Sequence, residues 1–383
     1  MSSLEYTKKY NFFTRWWRSV DQATIIALTI LFSISLMLVT TASPAVALRI
    51  GLDAGYFTTR QAAYLLLASV IILLISTFNK NWIKRAAIIG FSVNLVLLVL
   101  VKFYGYEVKG AKRWINLFGF SMQPSEFIKP FFSVITAWIL SLKAKEHDFP
   151  GFSISLFFYF IIAALVIIQP DLGMLVTISA VWGIQLFVAG MPFLWILISF
   201  ITFISGIAGA YLLLPHVSKR INSFLDPENN ENYQVTKSLL AFENGGFYGR
   251  GPGEGTVKQV LPDSHTDFIF AVAGEEFGAV ACLIIGGVFA FIVIRGLIRV
   301  MNESDRFVSF AVVGILAQFG IQSIINMGVT LNLLPTKGMT LPFVSYGGSS
   351  TLAVAIAMGM LIGFTKRTAD LKKFKLNKLE IIY

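Results

Sequence analysis

Residues 22–42 read QATIIALTILFSISLMLVTTA, a run without a single charged side chain. About 20 such residues, each rising about 1.5 Å in a helix, cross the hydrocarbon core of a bilayer. The run therefore reads as a transmembrane helix. Residues 1–21 ahead of it are polar, basic and aromatic, with Lys8, Lys9, Arg15, Trp16, Trp17 and Arg18. That composition predicts an uncleaved anchor on a cytoplasmic N-terminal segment rather than a signal peptide. Runs of the same kind follow near 60–78, 84–103, 125–142, 152–169, 171–190, 192–214, 267–294, 307–328 and 345–365. The expected architecture is an all-α polytopic membrane protein with about ten transmembrane helices. A membrane domain over 22–365 would carry one large extracytoplasmic loop, 215–266, between helices 7 and 8, and end in a basic tail, 366–383.

Composition agrees. Hydrophobic residues make up 56% of the 383, charged residues 14%, and the mean hydropathy is +0.72, too apolar for a surface that must be wetted by water. Cys282 is the one cysteine and lies inside an apolar run, which leaves neither a disulfide framework nor a thiolate metal site. The net charge of +10 raises nucleic acid as a partner, but the basic residues flank apolar segments instead of forming one patch. That is a topology signal, and no nucleic acid is expected.

With ten spans both termini share a side. Placing them in the cytoplasm puts 18 of the 31 Lys and Arg on the inner side, which sets the orientation. The others are concentrated: Lys102, Lys109, Lys112 and Arg113 crowd one loop, and Lys219, Arg220, Lys237, Arg250 and Lys258 share 215–266. Basic loops on the translocated side either hold something anionic or are merely solvated, and charge alone leaves both readings open.

Several groups have the makings of a site. Glu126 and Lys129 stand at i, i+3 on the span that opens Gln123-Pro124-Ser125, either as a neutralised pair locking two helices or as functional groups, the usual meaning of intramembrane charge. Asp171 follows Pro170 at a helix start, where capping is the simpler role. Asp267 begins the eighth span in LPDSHTDFIF (261–270), with Thr266 as the expected cap, which would release Asp267 for chemistry. Glu275 and Glu276 lie further along that span and must face protein or water. His265 has no ligand-spaced partner, so zinc is not expected. Residues 233–243 have the spacing of an interfacial helix, and the glycines at 249, 251, 253 and 255 form either a flexible loop or a phosphate nest. The loop LLPTKGMTLPFVSYGGSS (333–350) places irregular backbone between two spans, where it must line a cavity or be buried.

That last loop, together with LPDSHTDFIFAVAGEEFG, KRWINLFGFSMQPSEFIK and QPDLG, resembles the SEDS proteins (shape, elongation, division and sporulation). The likeness runs from the first span to the last, and is nearer to the division branch, FtsW, than to the elongation branch, RodA. The resemblance implies a peptidoglycan glycosyltransferase of the bacterial inner membrane that polymerises lipid II at the periplasmic face. Residue by residue it implies Asp267 as the essential carboxylate, and Glu126, Lys129 and Arg113 as the charged groups of the QPSEFxK motif and its preceding loop. Lys337, Arg220, Gln234 and Ser345 complete the expected substrate-binding set. A divalent cation, Mg or Mn, on Glu126 or Asp267 is the only cofactor expected, and Glu126 either binds it or holds Lys129. The implied partners are lipid II, a class B penicillin-binding protein and other division proteins.

The expected chemistry is a single inverting displacement, with Asp267 as base on the acceptor hydroxyl and Lys129 and Arg113 neutralising the departing pyrophosphate. Two other readings compete. A lipid II flippase or transporter would use a midplane carboxylate such as Glu275 or Glu276. A non-catalytic division scaffold would use the basic tail to dock.

Overall fold

The computed structural model describes residues 11–366 apart from 109–110, 118, 214–216, 219–220, 223 and 225–232. Arg220, Lys219, Lys109 and the tail beyond Lys366 lie outside the described residues. The helices are α1 (Phe12–Ser19), α2 (Gln22–Arg49), α3 (Tyr56–Thr77), α4 (Lys80–Tyr104), α5 (Pro124–Lys143), α6 (Gly151–Ile168), α7 (Leu172–Val188), α8 (Phe193–Leu213), α9 (Tyr233–Gly245), α10 (Ile269–Val300), α11 (Arg306–Thr330) and α12 (Gly348–Phe364). Eight are long and apolar enough to cross a membrane, and α7 and α12 are shorter apolar helices, which together make the ten expected.

Local chemistry sets the helix starts. Pro124 occupies the first turn of α5, where its missing N–H costs nothing. Asn79, Asp171 and Asp305 accept from the backbone N–H groups of Trp82, Met174 and Phe307 at the starts of α4, α7 and α11. For Asp171 this is the capping role expected of it. At the eighth span the expectation fails: Thr266 donates to the carbonyl of Asp263 instead, and Phe268 precedes the helix without a side-chain cap.

The bundle is ordered around α5 and α11. In the most apolar stretch of α5, 83% of residues are buried, against none in α8, so α5 is the core post and α8 stands at the periphery. Ile128, Phe132 and Leu140 of α5 meet Ile315, Leu316 and Phe319 of α11 and Met358 and Leu361 of α12 in one core. Outer helices expose Leu66, Leu74, Ile89 and Phe157, as expected when lipid is the solvent.

Polar groups gather at the two ends. At one, the Asp21 carboxylate takes Arg295 at 2.7 and 2.8 Å and Arg299 at 3.3 Å, and Lys80 meets Asp305 at 2.5 Å. Asp267 lies at the other. There the loop after α4 is a three-stranded antiparallel sheet of β1 (Tyr106–Val108), β2 (Ala111–Leu117) and β3 (Phe120–Met122) in the order β1-β2-β3.

α10 is broken at Gly278 (φ 75°, ψ −176°), a conformation open to glycine almost alone. The loop after α9 repairs the break. Ala279 N–H donates to Gly246, Arg250 N–H to Glu275 and Gly251 N–H to Glu276, so the freed backbone groups are paired. Gly249 and Gly255 let this segment lie against the break, since β-carbons there would stand 2.2 Å from the Glu276 carbonyl oxygen and 2.9 Å from Glu275 Oε2, respectively. Residues 279–300 alone span about 33 Å, a full hydrocarbon thickness. Glu275 and Glu276 therefore lie at the Asp267 end and not at the midplane, which removes the feature that favoured a transporter.

Both carboxylates take part in this clasp. Glu275 accepts from Thr256 and Val257 N–H, at 2.9 and 3.1 Å, and Glu276 pairs with Lys258 at 2.5 Å. The interfacial helix expected at 233–243 is α9, which packs on the first segment of α10 through Phe242 and Phe270 and is tied to α11 by Ser238 donating to the Thr330 carbonyl.

Candidate active site

Two amides one turn apart on α11 organise the Asp267 end. Gln322 accepts from Lys129 Nζ at 2.9 Å and donates to the carbonyl of Thr340 and the hydroxyl of Ser350. Asn326 donates to the carbonyls of Asp267 and Met339, at 2.8 and 2.6 Å. Residues i and i+4 share a helix face. That face thus fixes the charged pair of α5, the chain around Asp267 and the 331–347 loop relative to one another.

The loop carries Lys337 and Gly338 to opposite neighbours. Lys337 Nζ donates to the carbonyl of Gly173 and, at 3.2 Å, to Thr177 Oγ1 on α7. A β-carbon on Gly173 would stand 1.7 Å from Lys337 Cε, so a side chain at 173 would push the lysine stem aside. On the other side, Asp267 Oδ2 is 3.1 Å from where a β-carbon on Gly338 would be. Asp267 is half-buried, just ahead of α10.

Arg113 closes the rim from β2. It donates to the carbonyls of Gln169 and Pro170 and stands 3.7 Å from the Asp171 carboxylate, which also takes Gln123 at 3.3 Å. Its side chain is 24% exposed, whereas that of Lys129 is 2% exposed and bonded to Glu126 at 2.9 Å. Lys129 was expected to meet the leaving group directly. In this structure it is buried between Glu126 and Gln322, because an ammonium in the bundle interior requires a counter-charge and acceptors. Of the two roles open to Glu126, the geometry supports holding Lys129.

Other expectations are corrected. Ser345 is 1% exposed, and its hydroxyl accepts from Leu341 N–H at 2.8 Å to close a turn, so it supports the loop from beneath and does not face a ligand. Arg250 and Lys258, two of the cations for which anion binding and solvation were both open, serve the clasp on Glu275 and Glu276. Gln234 is half-buried in the first turn of α9. His265 is packed between the Phe57 and Tyr346 rings, at 4.4 and 5.5 Å. Among the described residues no three His, Cys, Asp or Glu cluster, and Glu126 is paired with Lys129.

The sequence reading missed Gln322, Asn326, Thr340, Ser350 and Thr177. A signal existed, since Gln318, Gln322 and Asn326 recur every fourth residue in an otherwise apolar span.

The arrangement offers one half-buried carboxylate on a rim bearing the cations Lys337 and Arg113, backed by a buried ion pair. Proteins with the same sequence pattern are known. A probable peptidoglycan glycosyltransferase FtsW of Caulobacter vibrioides is 39% identical, over 92% of this chain and 90% of its own length. Another of that name, from Trichlorobacter lovleyi, is 36% identical over 90% of this chain and 93% of its own. Among solved structures, a chain of a peptidoglycan synthase complex that coordinates polymerization and crosslinking superposes with a TM-score of 0.76 at 23% identity, over 91% of this chain and 98% of its own. The rod shape determining protein RodA of Thermus thermophilus superposes at 0.67 with 22% identity, over 91% of this chain and 97% of its own. The sequence model of the FtsW/RodA/SpoVE cell cycle proteins matches residues 21–369. On that match and those identities, this chain belongs to the FtsW/RodA/SpoVE family of cell cycle proteins.

Proposed function

We propose that this chain is a peptidoglycan glycosyltransferase of cell division, polymerising lipid II at the periplasmic face of the bacterial inner membrane. The names of its relatives support the activity. The observation that carries the site is the seating of the Asp267 carboxylate against Gly338, beside Lys337, at the same end of the bundle as Arg113 and the Glu126–Lys129 pair.

A sugar hydroxyl is too weak an acid to attack unaided. Asp267 takes the acceptor's proton as the hydroxyl oxygen bonds to the donor's anomeric carbon. The bond from that carbon to the pyrophosphate oxygen breaks, and the pyrophosphate leaves with the electron pair. It is already a weak base and needs cations more than a proton. Lys337 and Arg113, nearer the surface than Lys129, receive its charge. Lys129 contributes through its field and by holding Gln322, hence the loop that bears Lys337 and Gly338. No step is assigned to a metal ion.

The basic excess around the Asp21 end supports a cytoplasmic location for that end. A class B penicillin-binding protein is the proposed crosslinking partner, in keeping with the complex from which one structural relative comes. The test is polymerisation of labelled lipid II by the purified chain in proteoliposomes, with and without that partner. Glycan chains are expected from the native sequence and none from Asp267→Asn, with membrane insertion equal. Chains made by Asp267→Asn would remove Asp267 from the mechanism, and lipid scrambling without chains would replace the enzyme by a flippase.

A further inference from the structure

The short helix ahead of the first span is divided lengthwise. At about 100° per residue, Trp16, Phe13 and Trp17 of α1 fall within one arc of about 100°, and Thr14, Arg18 and Arg15 fill an arc of the same width opposite them. Val20 and Asp21 are extended (φ −90°, ψ 166° and φ −79°, ψ 96°), so α1 stops there and does not run on into α2.

One contact fixes its depth. Trp16 Nε1 donates at 2.8 Å to Ser76 Oγ, and Ser76 is fully buried in the last turn of α3. The same ring packs against the main core. The middle of α1 therefore stands level with the end of a spanning helix and does not project into the water beyond it. Trp16 uses the protein-facing part of the apolar arc. The rest of that arc stays exposed, Phe13 at 63% and Trp17 at 39%, and Arg15 is exposed on the polar arc. Phe78 and Trp82, in the turn and first residues after α3, are exposed aromatic rings at the same end. The segment before α2 carries Lys8, Lys9, Arg15 and Arg18 against Glu5 alone.

We propose that α1 lies flat in the bilayer surface on the Asp21 side, with Phe13 and Trp17 among the upper acyl chains and Arg15 among the phosphates of anionic phospholipids. Aromatic rings on one face and basic residues on the other suit a helix to this place, and indole rings favour this depth. The basic excess matches an anionic leaflet. Both parts of the apolar arc are then covered, one by α3 and the other by lipid. The inference rests on the chain being embedded in a membrane and not on the chemistry at the Asp267 end.

The test uses the full chain with Cys282→Ala and one nitroxide label, at Phe13→Cys, Thr14→Cys or Trp17→Cys, in liposomes of phosphatidylglycerol or phosphatidylcholine without lipid II. Collisions with dissolved oxygen, which concentrates among acyl chains, and with a neutral nickel chelate, which stays in water, give the depth. Labels at 13 and 17 are expected to meet oxygen several times more often than nickel, and the label at 14 the reverse. Equal access of nickel to all three overturns the surface assignment. Dipolar broadening between chains labelled at 13 or 17 overturns it in favour of a second copy. One arginine at an anionic surface is worth about fivefold in affinity. Arg15→Gln is therefore expected to lower the ratio of docked to free α1 by about that factor in phosphatidylglycerol and to leave it unchanged in phosphatidylcholine. The same loss in both lipids, or none in either, overturns the anionic assignment.

Discussion

Asp267 and Gly338 are in contact across two loops: the carboxylate oxygen Oδ2 lies 3.1 Å from where a β-carbon at 338 would stand. A methyl group there moves either the carboxylate or the backbone bearing Lys337. At 3.1 Å the carboxylate or the backbone must give by a few tenths of an ångström, and catalytic geometry is sensitive to displacements of that kind. Gly338→Ala is expected to slow polymerisation several-fold while thermal stability changes little. A full rate in the lipid II assay would show that the Asp267 carboxylate need not keep this position.

Lys129 and Glu126 stabilise the bundle only as a pair. Lys129→Met leaves a buried carboxylate without its counter-charge, at a cost of about 3–5 kcal/mol. Lys129→Met/Glu126→Gln removes the charge altogether and is expected to recover much of the loss. Unfolding in detergent measures both. A single variant as stable as the double would mean that the pair is solvated rather than buried.

The break in α10 gives a third expectation. A β-carbon at 278 would stand 2.3 Å from the Phe247 carbonyl, in a backbone conformation open to glycine almost alone. Gly278→Ala is expected to release residues 246–260 from α10, exposing them to limited proteolysis, while the 279–300 segment stays inserted. Unchanged protection of 246–260 would show that the clasp does not depend on the break.

The spans were legible because lipid demands long apolar runs, and the charged ends because charge cannot enter those runs cheaply. The break at Gly278 was not, because its backbone partners lie at 246–251, and glycine is common in membrane helices without breaking them. Nor did charge reveal who holds whom. Charge left Lys258 and Arg250 open to an anion or to plain solvation, and the structure puts Glu275 and Glu276 beside them. Ser345 looked like a contact on an irregular loop, yet its hydroxyl closes a turn beneath it. Asp267 was found through its motif, but its supports, Gln322 and Asn326, are uncharged amides inside an apolar span, where single polar residues most often serve packing.

The Asp21 end carries a pH dependence whose sign follows from its contacts. Burial pushes the Asp21 carboxyl upward, but hydrogen bonds from Arg295 and Thr24 and the charges of Arg299 and Arg295 outweigh it, and the net direction is below the ordinary 3.8. A carboxyl lowered on folding stabilises the fold fully above its unfolded value, and that contribution is lost as pH falls through the folded value. The clamp that joins the start of α2 to the end of α10 is therefore intact at neutral pH and releases only below about pH 3.8. Asp21→Asn is expected to lower the thermal midpoint in detergent by the same amount at every pH above about 4, with the gap from the native chain closing as the pH falls below that. A gap that opened between pH 5 and 7 instead would assign the dependence to another group.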